Sequence, residues 1–198
     1  LYAKIDAVRT PGTAVSSNTS TIPLADLTNG LPEGFRRDFL ITHFFNPPRY
    51  MRLLEIVAGP QSDPATVARV KAFADEKLGK TVVDCKDTPG FIANRLGTYW
   101  IQAAVISALD LGLRVEEADA VMGRPFGIPK TGIFGLLDLV GLDLMPHVQG
   151  SLERALPKSD PFHALLRDVP LLREMIATGY TGRKGKGGFY RLNREGGG

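Results

Sequence analysis

His43 and Glu55 are the two side chains of this sequence best placed to handle a proton. They lie in "THFFNPPRYMRLLEIV", residues 42–57, where two β-like runs flank a double proline. Arg49, inside the proline loop, is midway between them. Strands that fold back side by side about that loop set the two residues roughly opposite each other. A carboxylate bonded to one imidazole nitrogen fixes the tautomer and leaves the other nitrogen free to accept a proton. Glu55 stands between Leu54 and Ile56, and a carboxylate in such an apolar run is costly to bury unless it is paired. The residues alone leave two readings open, a catalytic dyad and a buried structural pair. The structural pair is the commoner outcome.

Other polar residues carry weaker signals. Ser20 ends "SSNTS" just before a helical pattern. Helix capping is the stronger reading, against a strand-end turn facing a ligand crevice. Asn46, before Pro47, is by default a loop residue bonding local backbone. Asn94 falls in the first turns of a long apolar helix, where an amide more often packs than binds. His147 and His163 have no second ligand at metal spacing and are read as structural, so no metal is expected. Cys85 is a strand residue with no adjacent base and is read as inert. In "GRKGKGGFY", residues 182–190, the lysines of the glycine turn are expected to face solvent.

These residues need a scaffold. With 198 residues, 43% of them hydrophobic and 23% charged, the chain suits one sizeable domain or two small ones. A net charge of +3 favours anionic ligands only weakly and does not point to nucleic acid. One cysteine excludes an intramolecular disulfide and a Cys-only metal site, which makes a reducing compartment the default. No run approaches the ~20 apolar residues of a membrane span. The opening "LYAKIDAVRTPG" lacks the apolar core of a secretory signal. It reads as the tail of a helix turning at Pro11-Gly12, and "NREGGG" reads as a linker. Both ends lead us to expect a piece of a longer chain.

Strands are predicted over Thr13 to Ser16, "RDFLITHFF", "RLLEIVAG" and "TVVDC". A short helix with Pro23 in its first turn is expected to end at Asn29-Gly30. A longer helix starts with Asp63 as N-cap and Pro64 at N1, with Val67, Val70, Phe73 and Leu78 on its apolar face. This order is an α/β layer. The character changes near Asp87. Thr88 is expected to cap a helix in which Ile92, Leu96, Tyr99, Ala103 and Ile106 form a buried stripe, and everything beyond it reads as helical. The boundaries implied are residues 1–86, an α/β layer; 87–192, an all-α domain; and 193–198, a tail.

Taken in order, "SSNTSTIPL", "HFFNPPRYMRLLEIV", "DTPGFIANRL", "LLDLVGLD" and "GRKGKGGFY" resemble the L-3-hydroxyacyl-CoA dehydrogenase family over essentially the whole chain. That family oxidises the 3-hydroxyl of an acyl-CoA to a ketone with NAD in fatty acid β-oxidation. The resemblance implies the C-terminal half of a Rossmann-type NAD-binding domain followed by an all-α domain that caps the acyl-CoA substrate and commonly forms homodimers. It implies that His43 is the general base and that Glu55 orients it. Ser20 and Asn94 would bond the substrate oxygens. Asn18, Ser20 and Asn46 would lie at the cofactor. A bacterial, cytoplasmic setting goes with it.

Two departures qualify the resemblance. The family begins with a strand, a Gly-x-Gly-x-x-Gly turn and an acidic residue for the adenosine ribose. None of these occurs here, and the family's mid-domain Glu and Lys near the nicotinamide are lacking too. The expectation is that they lie upstream of Leu1 and that these 198 residues alone bind NAD weakly. The segment "GIPKTGIFGLLD" resembles long bacterial members that continue into a crotonase-type enoyl-CoA hydratase domain. The rival reading is a non-catalytic acyl-CoA-binding and dimerisation module. A different β-hydroxyacid dehydrogenase is disfavoured, because the helix that should offer a catalytic Lys offers Asn94 and Arg95.

Overall fold

The run "FLITHF" is buried on both faces, and that fact organises the first half of the molecule. The structure, a computed structural model, describes residues 1–127 and 131–191. The described residues divide into two compact units, parted between Arg95 and Leu96.

In the first unit, α1 (Tyr2–Asp6) leads to β1 (Val15–Ser17), then to the short helices α2 (Leu24–Thr28) and α3 (Glu33–Asp38). Next come β2 (Phe39–Phe44), β3 (Leu53–Ala58), α4 (Pro64–Glu76) and β4 (Thr81–Cys85). The sheet order is β1-β2-β3-β4; β1 and β2 run parallel, β2 and β3 antiparallel, β3 and β4 parallel. Side chains alternate between the faces of a strand. Phe39, Ile41, Val57 and Cys85 therefore share one face, packed with Leu24, Phe35 and Phe91. Leu40, Leu54 and Ile56 share the other, against Ala74 of α4. His43 and Glu55 belong to the first of these faces by the same alternation.

Several expected boundaries change. The residues "RD" before β2 end α3, a helix that the strand-like run had hidden, and β1 starts two residues later than Thr13. Asp63 caps α4 as expected, its side chain accepting from the Ala65 amide. The inner face of α4 keeps Val67 and Val70 against the core, as expected, together with the buried Thr66 and Ala74, whereas Phe73 is 56% exposed and Leu78 is exposed as well.

The long helix α5 (Ala93–Asp110) starts in the first unit and runs into the second. Its buried positions are Thr98, Gln102, Val105 and Ala108. The stripe expected to be buried is instead exposed at Ile92, Leu96 (64%) and Tyr99. The reason is polar pairing that hydropathy does not reveal. The Gln102 amide donates to the Leu165 carbonyl at 2.9 Å and accepts from Gln149, which makes an amide cheap to bury.

The second unit continues with α6 (Val115–Val121), α7 (Phe134–Val140), α8 (Met145–Ala155) and α9 (Pro170–Ala177), plus single 3-10 turns. Two buried carboxylates tie it together. Asp119 accepts from the Ile133, Phe134 and Gly135 amides and from the Tyr190 hydroxyl. Asp138 accepts from the Phe189 and Tyr190 amides. The lysines of the glycine turn face solvent, as expected, and there bond exposed partners, Lys184 to Asp143 and Lys186 to the Thr178 carbonyl. Among the described residues no helix is long and apolar enough to cross a membrane, and no cluster of His, Cys, Asp and Glu could hold a metal. Part of "GIPKTGIFGLLD" and the expected tail lie outside the described residues.

Candidate active site

The β2–β3 ladder pairs His43 with Glu55 directly, Cα opposite Cα. The register follows from the loop centred on Arg49, and it brings His43 Nδ1 to 2.7 Å from Glu55 Oε2. Both residues are almost fully buried, His43 at 4% and Glu55 at 1% exposure. A carboxylate only accepts, so Nδ1 carries the proton and donates it to Glu55. Nε2 then holds a free lone pair. Ser20 Oγ lies 3.0 Å from Nε2 and donates to it.

Glu55 is anchored from its other oxygen. Oε1 accepts from the backbone amides of Ile92 at 3.0 Å and Ala93 at 2.8 Å, the amides that open α5. Helix N-termini present unpaired N–H groups and positive potential, so they suit a buried carboxylate. The expected cap, Thr88, lies upstream of the helix, and Glu55 takes over its task from a distant strand. The carboxylate thus has three charge-assisted hydrogen bonds, which offset its desolvation.

The chain reaches those amides through a strained turn. Gly90 has φ 74° and Phe91 φ 48°, the only non-glycine residue with positive φ among the described residues. A left-handed residue with a β-carbon costs about 1 kcal/mol or more. The Phe91 ring lies 5.5 Å from the imidazole at 62°, and the Phe45 ring lies 4.7 Å away at 65°.

Ser20 is not a helix cap. Its hydroxyl faces His43, and the first amide of α2, Leu24 N, is held instead by both oxygens of Asp87 at 3.0 and 3.1 Å. This bond ties the turn after Ser20 to the turn before Phe91. Asn18 Oδ1 accepts from the Phe44 amide at 2.9 Å and pins the end of β1 to the end of β2. Asn46 lies exposed in the loop after β2, and Asn94 is half-buried in the first turn of α5. Among the described residues neither makes a hydrogen bond to His43, Glu55 or Ser20.

The proline loop is held by a residue with no local signature of its role. Lys80, 8% exposed, donates to the carbonyls of Pro48 at 2.5 Å and Met51 at 2.8 Å. A lone Lys after Gly79 reads as solvated surface, so only the tertiary fold reveals its role. Cys85, next to this network, is not without a charged neighbour. Burial, and then the nearby Glu55 carboxylate, push its thiol from an ordinary 9.0 up to about 11, which keeps it protonated and unreactive near neutral pH.

This arrangement can accept one proton at a defined nitrogen and hold the resulting imidazolium against a fixed carboxylate. Serine, asparagine and amide groups at strand ends could orient an oxygen-bearing ligand there.

Residues 1–88 match the family model described as 3-hydroxyacyl-CoA dehydrogenase, NAD binding domain, and residues 90–192 match its C-terminal domain. A relative from Rickettsia prowazekii, named a putative fatty acid oxidation complex trifunctional enzyme, is 44% identical over 98% of this chain. The chain spans 27% of that relative's length. Among solved structures, FadB2 of M. tuberculosis aligns with a TM-score of 0.83 at 32% identity, over 96% of this chain and 65% of its own. An (S)-3-hydroxybutyryl-CoA dehydrogenase of Ralstonia eutropha aligns with a TM-score of 0.80 at 34% identity, over 94% and 63%. With both family models matched end to end along the described α/β and helical units, the chain belongs to the 3-hydroxyacyl-CoA dehydrogenase family.

Proposed function

We propose that this chain handles the proton in NAD-dependent oxidation of an L-3-hydroxyacyl-CoA to the 3-oxoacyl-CoA, a step of fatty acid β-oxidation. The observation that carries this reading is the chain of contacts from Ser20 to His43 to Glu55, anchored on the Ile92 and Ala93 amides. His43 Nε2 takes the proton of the 3-hydroxyl. Glu55 keeps the imidazole in the tautomer that leaves Nε2 open and balances the imidazolium that forms. The Ser20 hydroxyl, already bonded to Nε2, marks where a substrate hydroxyl would bond, and Asn94 is the second proposed substrate contact.

The residues present fit the nicotinamide end of NAD. Ser20 and Asn46 offer neutral donors and acceptors beyond the carboxyl ends of β1 and β2, where open α/β sheets bind such ligands. Asn18, whose Oδ1 is committed to Phe44, serves that end chiefly by pinning the two strands together. When bound, NAD accepts the hydride from the carbon that bears the hydroxyl.

The trifunctional name of the Rickettsia relative supports a setting in which this activity shares a chain with others, including an enoyl-CoA hydratase domain. Exposed apolar residues of the helical unit, Leu111 at 72% with Leu109 and Leu113, support self-association there as a homodimer. A cytoplasmic location accompanies the reading. The test is NADH consumption with acetoacetyl-CoA by the whole protein, wild type against His43→Gln. Equal rates would remove His43 from the mechanism. Ligand binding without turnover would favour a non-catalytic acyl-CoA-binding module.

A further inference from the structure

Phe91 is the residue of the first unit whose conformation most needs a reason. Its backbone is left-handed, a conformation that Gly or Asn adopts at less cost. Its ring is 5% exposed within the core of Phe35, Phe39, Ile41 and Val57. Filling that core needs only apolar volume, which a residue in ordinary backbone geometry would supply. The left-handed turn does something more. Gly90 and Phe91, consecutive left-handed residues, redirect the chain after Pro89 so that the next two amides both meet Glu55 Oε1. The same turn sets the Phe91 ring edge-to-face with the imidazole, and Phe45 provides a second contact of the same kind. Strain held at such a point persists only where the surroundings fix it. Here the Phe91 amide bonds the Thr88 carbonyl at 2.9 Å, and the Arg95 amide bonds the Gly90 carbonyl at 3.0 Å.

We infer that Phe91 is a positioning residue for the His43–Glu55 pair, its backbone aiming two amides at the carboxylate while its ring fixes and dries the imidazole. The inference rests on the proton-handling role proposed for His43. Its physical content does not depend on turnover, because it concerns how firmly one imidazole is held.

Two variants of the full chain separate this role from simple core filling. Phe91→Gly tolerates the left-handed backbone but removes the ring. Phe91→Leu keeps apolar volume but removes the aromatic contact. In 15N-labelled wild-type protein the His43 Nδ1–H proton should give a sharp downfield resonance. In both variants that resonance should broaden through exchange with water or move upfield, while circular dichroism shows the fold retained. Turnover should fall about ten- to a hundredfold, with KM within about twofold of wild type. If Phe91→Gly fails to fold, Phe91→Leu alone decides. Folded variants that keep both the wild-type resonance and the wild-type kcat would overturn the inference. A wild type that shows the resonance but no turnover would count against the proposed function and not against the positioning role, which the change in resonance still tests.

Discussion

His43 and Glu55 are register partners, so one antiparallel ladder decides whether the pair exists. A slip of one residue between β2 and β3 would turn one member to the opposite sheet face. The pair is thus set by backbone pairing before any side-chain hydrogen bond forms.

Removing the carboxylate should cost stability as well as activity. Glu55→Ala leaves a buried imidazole and two helix-opening amides without their acceptor. We expect a loss of about 3–5 kcal/mol in urea unfolding. Glu55→Gln retains an acceptor oxygen and should cost less stability, but turnover should fall by about 10²-fold or more. Unfolding midpoints equal to wild type in both variants would show that the buried pair is not part of what holds the unit together.

Replacing the imidazole should affect chemistry more than folding. His43→Gln should lower kcat by about 10²–10⁴-fold, with NADH affinity close to that of the wild type. Fluorescence titration of NADH and steady-state kinetics on the same preparation check the two halves of that expectation.

Lys80→Met keeps the aliphatic stem and deletes the ammonium that holds Pro48 and Met51. Two loop carbonyls then lose a charged donor, which should cost about 1–3 kcal/mol. Limited proteolysis should cut faster within residues 46–52 than in wild type. Cleavage elsewhere first would mean that the loop is held by other contacts.

Cys85 gives a stability change at alkaline pH. Below its ordinary value of 9.0 the thiol is protonated in both folded and unfolded chains, and its contribution is fully present. Between 9.0 and about 11 the unfolded chain releases the proton while the folded one retains it. The unfolded state then binds fewer protons, so stability falls as pH rises through this window. Cys85→Ala should flatten the fall in urea midpoint between pH ~9 and pH ~11 relative to wild type. Equal slopes would show that the thiol titrates normally.

Glycines of the helical unit should divide sharply. A β-carbon at Gly188 would overlap the Asp138 carboxylate, which already holds the Phe189 and Tyr190 amides, whereas one at Gly97 would meet nothing within 4 Å. Gly188→Ala should lower stability by about 1–3 kcal/mol. Gly97→Ala, inside α5, should raise it by about 0.5–1 kcal/mol. Thermal denaturation of the two variants gives opposite signs if the packing is as described.

Much of the first unit was legible because strand pairing is a matter of counting. The loop at Arg49 put His43 opposite Glu55, and the two-sided burial of "FLITHF" explains why an apolar run with a His in it is still a strand. Local signals failed where the partner is distant. Ser20 looked like a cap because nothing nearby in sequence reveals a histidine 23 residues away. Thr88 looked like a cap because the true acceptor, Glu55, is on another strand. The buried face of α5 is hidden from hydropathy for the same reason, since Gln102 is acceptable inside only once Leu165 and Gln149 are brought to it. Lys80 had no local signature, because a lysine's choice between water and two carbonyls is made by the fold.

The hold of Glu55 on the Ile92 and Ala93 amides also bears on how α5 breathes. Helix ends ordinarily fray, and their first amides exchange with deuterium almost freely. Here fraying of the first turn would strip the carboxylate of two donors and loosen its grip on the imidazole. The Ile92 and Ala93 amides should therefore exchange slowly, at rates set by opening of the β2–β3 ladder rather than by the helix itself.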